Sequence, residues 1–167
     1  IEHELLIDDD YRKVKENEKQ RYFFPLNQET NFKINKFFRT ITKKKKKNSK
    51  VLNIKGRYFE IRNFYEGISR FNFNELCDAN LGAEDYLEIA KNSDLIVIED
   101  IPQFNDINSN QQLRFITLLD IIYDKNIPLA VTANQSLEQF TSSISLEKEF
   151  KRTVSRLHEL TSKDHTL

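Results

Sequence analysis

Two acids, Glu99 and Asp100, close the apolar run Leu95-Ile96-Val97-Ile98, and a second apolar run, Pro128-Leu129-Ala130-Val131, closes on Thr132-Ala133-Asn134. In phosphoryl-transfer enzymes an acid pair at the end of a buried strand binds magnesium with one carboxylate and orients the attacking water with the other. A polar strand end beside it senses the terminal phosphate. Acids at strand ends are more often solvated turn residues, and these residues also read that way. Arginines are the other candidates: Arg114 near the start of one helical pattern, and Arg152 and Arg156 on another. Four-residue spacing puts Arg152 and Arg156 on one helix face. There they can grip phosphate oxygens or a neighbouring subunit's carboxylates, or close a salt bridge within the chain.

Other chemistry is poorly served. Glycine occurs only at positions 56, 67 and 82, so no glycine-rich loop followed by Lys-Ser or Lys-Thr exists to wrap a triphosphate in backbone amides. The chain alone is not expected to bind ATP well. There is no Gly-x-Ser-x-Gly turn, and Cys77 has no evident base partner, so it reads as a small buried side chain. One cysteine and three histidines exclude an internal disulfide framework and leave no zinc spacing.

The elements that must position these residues follow from the hydrophobic pattern. Leu5-Leu6-Ile7 running into Asp8-Asp9-Asp10 reads as a strand and turn, and Tyr22-Phe23-Phe24 before Pro25 as a second strand. Residues 27–42 carry Phe32, Ile34, Phe37, Phe38 and Ile41 at mostly helical spacing. Val51 to Ile54 and Tyr58 to Ile61 predict a β-hairpin turning at Gly56. Ile68 to Phe73 alternates, Asn74 is placed to cap a short helical turn through Cys77, and Gly82 ends that turn. Residues 83–91 put Tyr86, Leu87 and Ala90 on one helical face. Leu95 to Ile98 reads as a buried parallel strand. A long helix from Ser109 to Lys125 follows, with the stripe Phe115, Leu118, Leu119 and Ile122 and with Asp120 off it. Strand, helix, strand is a βαβ unit that brings both strand ends to one sheet edge. Leu146 to Leu160 is a last amphipathic helix, with Phe150, Val154, Leu157 and Leu160 facing inward.

The 167 residues suffice for one core, and 38% hydrophobic and 11% aromatic content excludes a disordered chain. No apolar run reaches the roughly 18 residues of a membrane span, and no secretory leader pattern opens the chain. A soluble, unsecreted protein is the expectation. The first residue is Ile1 and methionine is absent, which predicts a fragment of a longer protein. The overall charge of 0 divides into +8 over residues 1–57 and −8 over the remainder. Such asymmetry marks either a basic surface for an anionic partner or, for Lys43 to Lys47, a solvated loop.

One set of motifs carries a resemblance. Phe73-Asn74-Glu75-Leu76-Cys77, Leu81-Gly82-Ala83-Glu84-Asp85-Tyr86-Leu87, Ile101-Pro102, Arg114-Phe115-Ile116-Thr117-Leu118-Leu119-Asp120 with Tyr123-Asp124, and Arg152-Thr153-Val154-Ser155-Arg156-Leu157 follow one another in this order. Together they resemble the C-terminal half of the ZapE-like ATPase family, which has mitochondrial relatives. Asp10-Tyr11-Arg12 and Phe24-Pro25-Leu26 match the segment opening that half, so the similarity spans nearly the whole chain. Lys151 stands where family members commonly carry an acid or glutamine.

The resemblance implies an AAA-like P-loop ATPase whose phosphate loop, magnesium-binding acids and main sensor strand lie upstream of this segment. It therefore implies ATP and Mg2+ for the intact protein and neither for this chain alone. Glu99-Asp100 and Thr132-Ala133-Asn134 are then a degenerate echo of the upstream pair. Arg114, Arg152 and Arg156 become the candidates for nucleotide sensing or for acting in trans. The implied setting is cell division, with a tubulin-like division-ring protein as partner, a homo-oligomer, and a cytoplasmic or peripheral inner-membrane location, mitochondrial in a eukaryote. The expected fold is α/β: a small basic α+β segment with a hairpin over residues 1–67, then an α/β module with a parallel βαβ unit over residues 68–167. The alternative is a non-catalytic module whose basic N-terminal half docks an acidic protein surface or nucleic acid, nucleic acid being the partner not expected.

Overall fold

The side chains of Leu95, Ile96, Val97 and Ile98 are all 0% exposed, which requires a strand covered on both faces. The computed structural model describes residues 20–162 and puts this strand at the centre of a five-stranded sheet. In chain order the elements are β1 (Tyr22–Phe23), α1 (Gln28–Thr42), β2 (Lys50–Ile54), β3 (Arg57–Ile61), β4 (Asn63–Tyr65), β5 (Ile68–Asn72), α2 (Phe73–Cys77) and α3 (Ala83–Lys91). There follow β6 (Leu95–Ile101), α4 (Ser109–Asp124), β7 (Leu129–Ala133) and α5 (Glu147–Ser162). The sheet order is β1-β7-β6-β5-β4, with β2 and β3 forming a separate hairpin. All pairings are parallel except β4 with β5 and β2 with β3. The α/β class and the β6-α4-β7 unit are as the sequence predicts. The strand expected at Leu5 to Ile7 and its acidic turn lie outside the described residues.

The pleat sorts β6 onto two cores. Ile96 and Ile98, with Phe71 and Val131, face a large cluster built with α3, α4 and α5. Leu95 and Val97, with Ile68 and Ala130, face Ile34 and Phe38 of α1. Helix α1 starts where Asn27 accepts a hydrogen bond from the Thr30 amide at 2.9 Å. On the larger face Phe115, Leu118, Leu119 and Ile122 of α4 are buried as their spacing predicts, as are Phe150, Leu157 and Leu160 of α5; Val154 is half-buried. Phe104 joins Phe73, Phe115, Phe140 and Phe150 with ring centroids 5.4–6.2 Å apart.

Two hairpins use the same turn chemistry. Lys55 and Gly56 both have positive φ, the twist-matched two-residue turn expected at Gly56, and Leu52, Ile54 and Ile61 carry that hairpin's inner face into the large core. Glu66 and Gly67 repeat the pattern between β4 and β5, a strand pair the sequence reading did not anticipate. A side chain at Gly67 would collide with the Asp94 carboxylate, whose own backbone amide donates to the Gly67 carbonyl at 2.7 Å. The lysine run leaves α1 as a connection along the outer edge of β4, where Lys47 bridges Tyr65 and the Asn48 amide donates to Phe64 at 2.9 Å. Lysines on an edge strand discourage pairing with a second sheet.

Three local expectations change. The helix cap is Asn72, not Asn74: β5 ends there, its side chain accepts from the Asn74 amide at 3.1 Å, and Glu75 accepts from the Asn72 amide at 2.9 Å. Gly82 does not end α2, which stops at Cys77; it opens α3, its amide donating to Asp85 at 2.8 Å. The buried face of α3 runs Tyr86, Ile89 and Ala90, because those positions enter the large core beside α4 and β2, and Leu87 turns outward.

Because Ile98 has no water contact and neighbours on both sides in the sheet, Ile98→Ala is expected to cost about 2–5 kcal/mol of unfolding free energy. Ile107→Ala, at a side chain 94% exposed, should stay within about 0.5 kcal/mol of the parent. Urea denaturation of the two variants measures both.

Candidate functional site

The ends of β5, β6 and β7 do converge on one edge, but their polar groups are taken up by one another. The register between β6 and β7 slips between Ile98 and Ile101, a bulge that leaves Asp100 at φ +64°. The Asp100 carboxylate accepts from the Asn72 side chain at 2.5 Å, and its backbone amide donates to the Thr132 hydroxyl at 2.8 Å. The Asn134 amide donates to the Ile101 carbonyl at 2.9 Å. Glu99 forms an ion pair with Arg70, a residue the sequence reading passed over. Arg70 also donates to Asn35 at 2.7 Å and lies 4.7 Å from the Phe38 ring centroid. The sequence signal was a long cation at an inner position of the apolar strand Ile68-Ser69-Arg70-Phe71.

A magnesium ion at this edge would have to displace Arg70 from Glu99 and Asn72 from Asp100. The donor set does not fit the ion, and no group of three or more His, Cys, Asp or Glu is assembled for a metal among the described residues.

The three arginines separate into two places. Arg114 donates to the Cys77 carbonyl at 3.1 Å, closing the C-terminal end of α2. Beside it the Tyr86 hydroxyl donates to the Leu76 carbonyl at 2.6 Å. Burial pushes the Cys77 thiol well above its ordinary range, against a smaller opposing pull from Tyr86 and Arg114. This thiol is a core group rather than a nucleophile.

Arg152 and Arg156 come together on one turn of α5, and both meet Asp120 of α4. Arg152 Nη2 lies 3.4 Å from Asp120 Oδ2, and Arg156 Nη1 pairs with Asp120 Oδ1. The Arg156 guanidinium also lies over the Tyr123 ring, 4.6 Å from its centroid. Tyr123 in turn is hydrogen-bonded to Glu159, which raises its phenol above the ordinary range. The position of Asp120 off the apolar stripe was visible in the sequence; its two partners were not. Lys151 supplies no acid beside Arg152, and α4 supplies it instead.

This face is open. The Arg152 side chain is 52% exposed and that of Arg156 27%. A cleft of about 530 Å³ lies nearby between residues 137–142 and α5, floored by Phe140 and Phe150, and another of about 610 Å³ lies between β1 and α1. Neither is lined by Arg152 or Arg156. An arginine pair on an open helix face cannot enclose a small molecule, but it can reach an anionic group presented by another surface. Among the described residues no helix is long and apolar enough to cross a membrane.

The sequence profile of the AFG1-like ATPases matches residues 6–166. The chain belongs to the AFG1-like ATPase family. It is 33% identical over 111 residues to Lactation elevated protein 1 homolog B of Danio rerio, covering 66% of this chain and 22% of that protein. It is 26% identical over 156 residues to Cell division protein ZapE of Escherichia coli K12, covering 93% of this chain and 42% of that protein. The chain thus spans less than half the length of either relative. No solved structure matches it. The motif resemblance seen in the sequence is therefore a family relationship, and its α4 and α5 motifs are the segments that carry Asp120, Tyr123, Arg152 and Arg156 in this AFG1-like chain.

Three buried acids give the fold a defined alkaline limit. Burial raises the phenols of Tyr22 and Tyr86 and the Cys77 thiol from ordinary values of 10.0, 10.0 and 9.0. The folded chain keeps these protons where the unfolded chain releases them, so their contribution is full below about pH 9 and falls as pH rises beyond it. Urea midpoints measured from pH 7 to 11 are expected to drop from about pH 9, and Cys77→Ala should delay the onset toward about pH 10.

Proposed function

We propose that this chain is the part of an AFG1-like ATPase that turns the face carrying Arg152 and Arg156 toward the phosphates of a nucleotide held elsewhere, by a phosphate loop upstream or on a neighbouring copy. The observation that carries the reading is the convergence of two guanidinium groups on one carboxylate at an open helix face. Bound ATP with Mg2+ would supply the transferable phosphoryl group and its charge. The residues of this chain offer N–H donors in fork geometry to anionic oxygens, and the seam between α4 and α5 fixes where those donors stand. Arg114 donates to the Cys77 carbonyl at the end of α2 and stands apart from the Arg152–Arg156 pair, so it is not included in this reading.

On this reading the chain alone does not hydrolyse ATP. The internal pairing of Glu99 and Asp100 and the absence from the sequence of a glycine-rich phosphate loop support that. A role in cell division, a tubulin-like division-ring protein as partner, and peripheral association with the inner membrane belong to the same reading through the likeness to ZapE. For a eukaryotic source the setting would be mitochondrial. A second reading has one observation in its favour: Lys43, Lys44, Lys46 and Lys47 are exposed together beside β4, a charge cluster able to dock an acidic protein surface. Binding that weakens steeply with salt and disappears when these lysines are neutralised would select it over the first.

The test uses the full-length protein. Replacing both Arg152 and Arg156 by alanine is expected to lower ATP turnover by about 10³-fold or more, the range of a trans-acting arginine. Mixing that variant with a variant defective in its own phosphate loop should restore turnover if the arginines act across a subunit boundary. Wild-type turnover in the double-alanine variant would overturn the reading.

A further inference from the structure

We propose that Asp120 is a positioning residue that divides labour between the two arginines: Arg156 remains as a fixed strut, and Arg152 is the guanidinium that leaves Asp120 for a phosphate oxygen. The inference rests on the reading of the pair as a phosphate contact. Its evidence is the asymmetry of the two sides. Asp120 gives one oxygen to each arginine, so the three side chains together carry one net positive charge.

Arg156 is held two ways. It pairs with Asp120 Oδ1, and its guanidinium covers the Tyr123 ring 4.6 Å from the centroid. Among the described residues Arg152 meets one partner on this face, Asp120 Oδ2 at 3.4 Å, beyond the usual range of a charge-assisted hydrogen bond, and its side chain is about twice as exposed. An exposed contact of that kind holds a long side chain only weakly. A phosphate group offers Arg152 more charge and paired oxygens, so it can win the exchange.

When Arg152 departs, Asp120 does not become an uncompensated anion beside the arriving phosphate, because Arg156 still neutralises it. Removing Arg156 reverses the logic. Asp120 would then turn its whole charge on Arg152 and retain it. Arg156 therefore assists the anion without touching it, and its loss should be repaired by removing Asp120 as well. A residue that touched the anion directly would also lose its own donors, so its rescue would be incomplete and its own signal would shift with the anion.

The experiment titrates tripolyphosphate into the 167-residue chain labelled with ¹⁵N-arginine and follows each Nε–Hε signal by NMR, with backbone amide spectra confirming that every variant is folded. In the parent chain the Arg152 signal is expected to move and the Arg156 signal to stay. Arg156→Ala should weaken binding at Arg152 about fivefold and Asp120→Asn should tighten it by about the same factor, the effect of one unit charge at about 4 Å in water. The combined D120N/R156A variant should recover at least the parent affinity. If tripolyphosphate leaves Arg152 unmoved and perturbs only amides around Lys43 to Lys47, the phosphate-contact reading itself fails. If Arg152 responds but D120N does not rescue R156A, or if Arg156 moves with it in the parent chain, the positioning role of Asp120 fails and the phosphate-contact reading stands.

Discussion

Four consecutive side chains without water contact, Leu95 to Ile98, can be accommodated only in a strand packed on both faces and paired on both edges. Most of the architecture follows from that. Parallel neighbours require crossover connections, and successive right-handed crossovers that step across the sheet in one direction land on the same face. The connections β5 to β6 and β6 to β7 do this, so α3 and α4 share one face and one core with α5. The opposite face of β6 is then left to α1, whose Ile34 and Phe38 cover Leu95 and Val97.

The same arrangement decides where polar chemistry can stand. The strand ends that meet at one edge lie close enough to satisfy each other, and they do: Asn72 with Asp100, Thr132 with the Asp100 amide, Arg70 with Glu99. The buried Thr132 and the half-buried Arg70 and Glu99 would be costly to leave unpaired, and with the exposed Asn72–Asp100 bond they make this edge a knitted seam. Helices α4 and α5, by contrast, turn their apolar stripes toward the sheet and their charged flanks outward. Asp120, Arg152 and Arg156 meet on that outer rim, backed by a rigid aromatic core that includes Phe104, Phe115 and Phe150. A charged group on such a platform is pre-oriented and still accessible, which suits contact with another surface.

Much of this was legible in the residues. Helix α4, strand β7 and helix α5 fall within a residue or two of their expected limits, because runs with one clear pattern leave little choice, while β6 starts as expected and continues past Ile98 to Ile101. The hairpin at Gly56 was legible for the same kind of reason, a turn dipeptide between alternating strands. Its counterpart at Glu66-Gly67 was missed because β4 has only three residues, too short for alternation to register. Asn72 and Asn74 are equally good caps in sequence; the end of β5 chooses between them. For the candidate site, the four-residue spacing of Arg152 and Arg156 was visible, and so was the place of Asp120 outside the apolar stripe. That one carboxylate serves both arginines, and that Arg114 serves α2 instead, depends on how α2, α4 and α5 pack, which no local pattern encodes.

The proposed function depends on a division of labour: phosphates held by a cradle outside this chain, and a guanidinium group brought to them on α5. The most direct measurement is equilibrium binding of Mg-ATP to the 167-residue chain, mapped residue by residue. The expected result is no saturation across the micromolar range, with any weak response confined to Arg152 and its neighbours. Saturable micromolar binding lodged at Glu99, Asp100 and Asn134 would contradict it, and would return the catalytic centre to the strand ends.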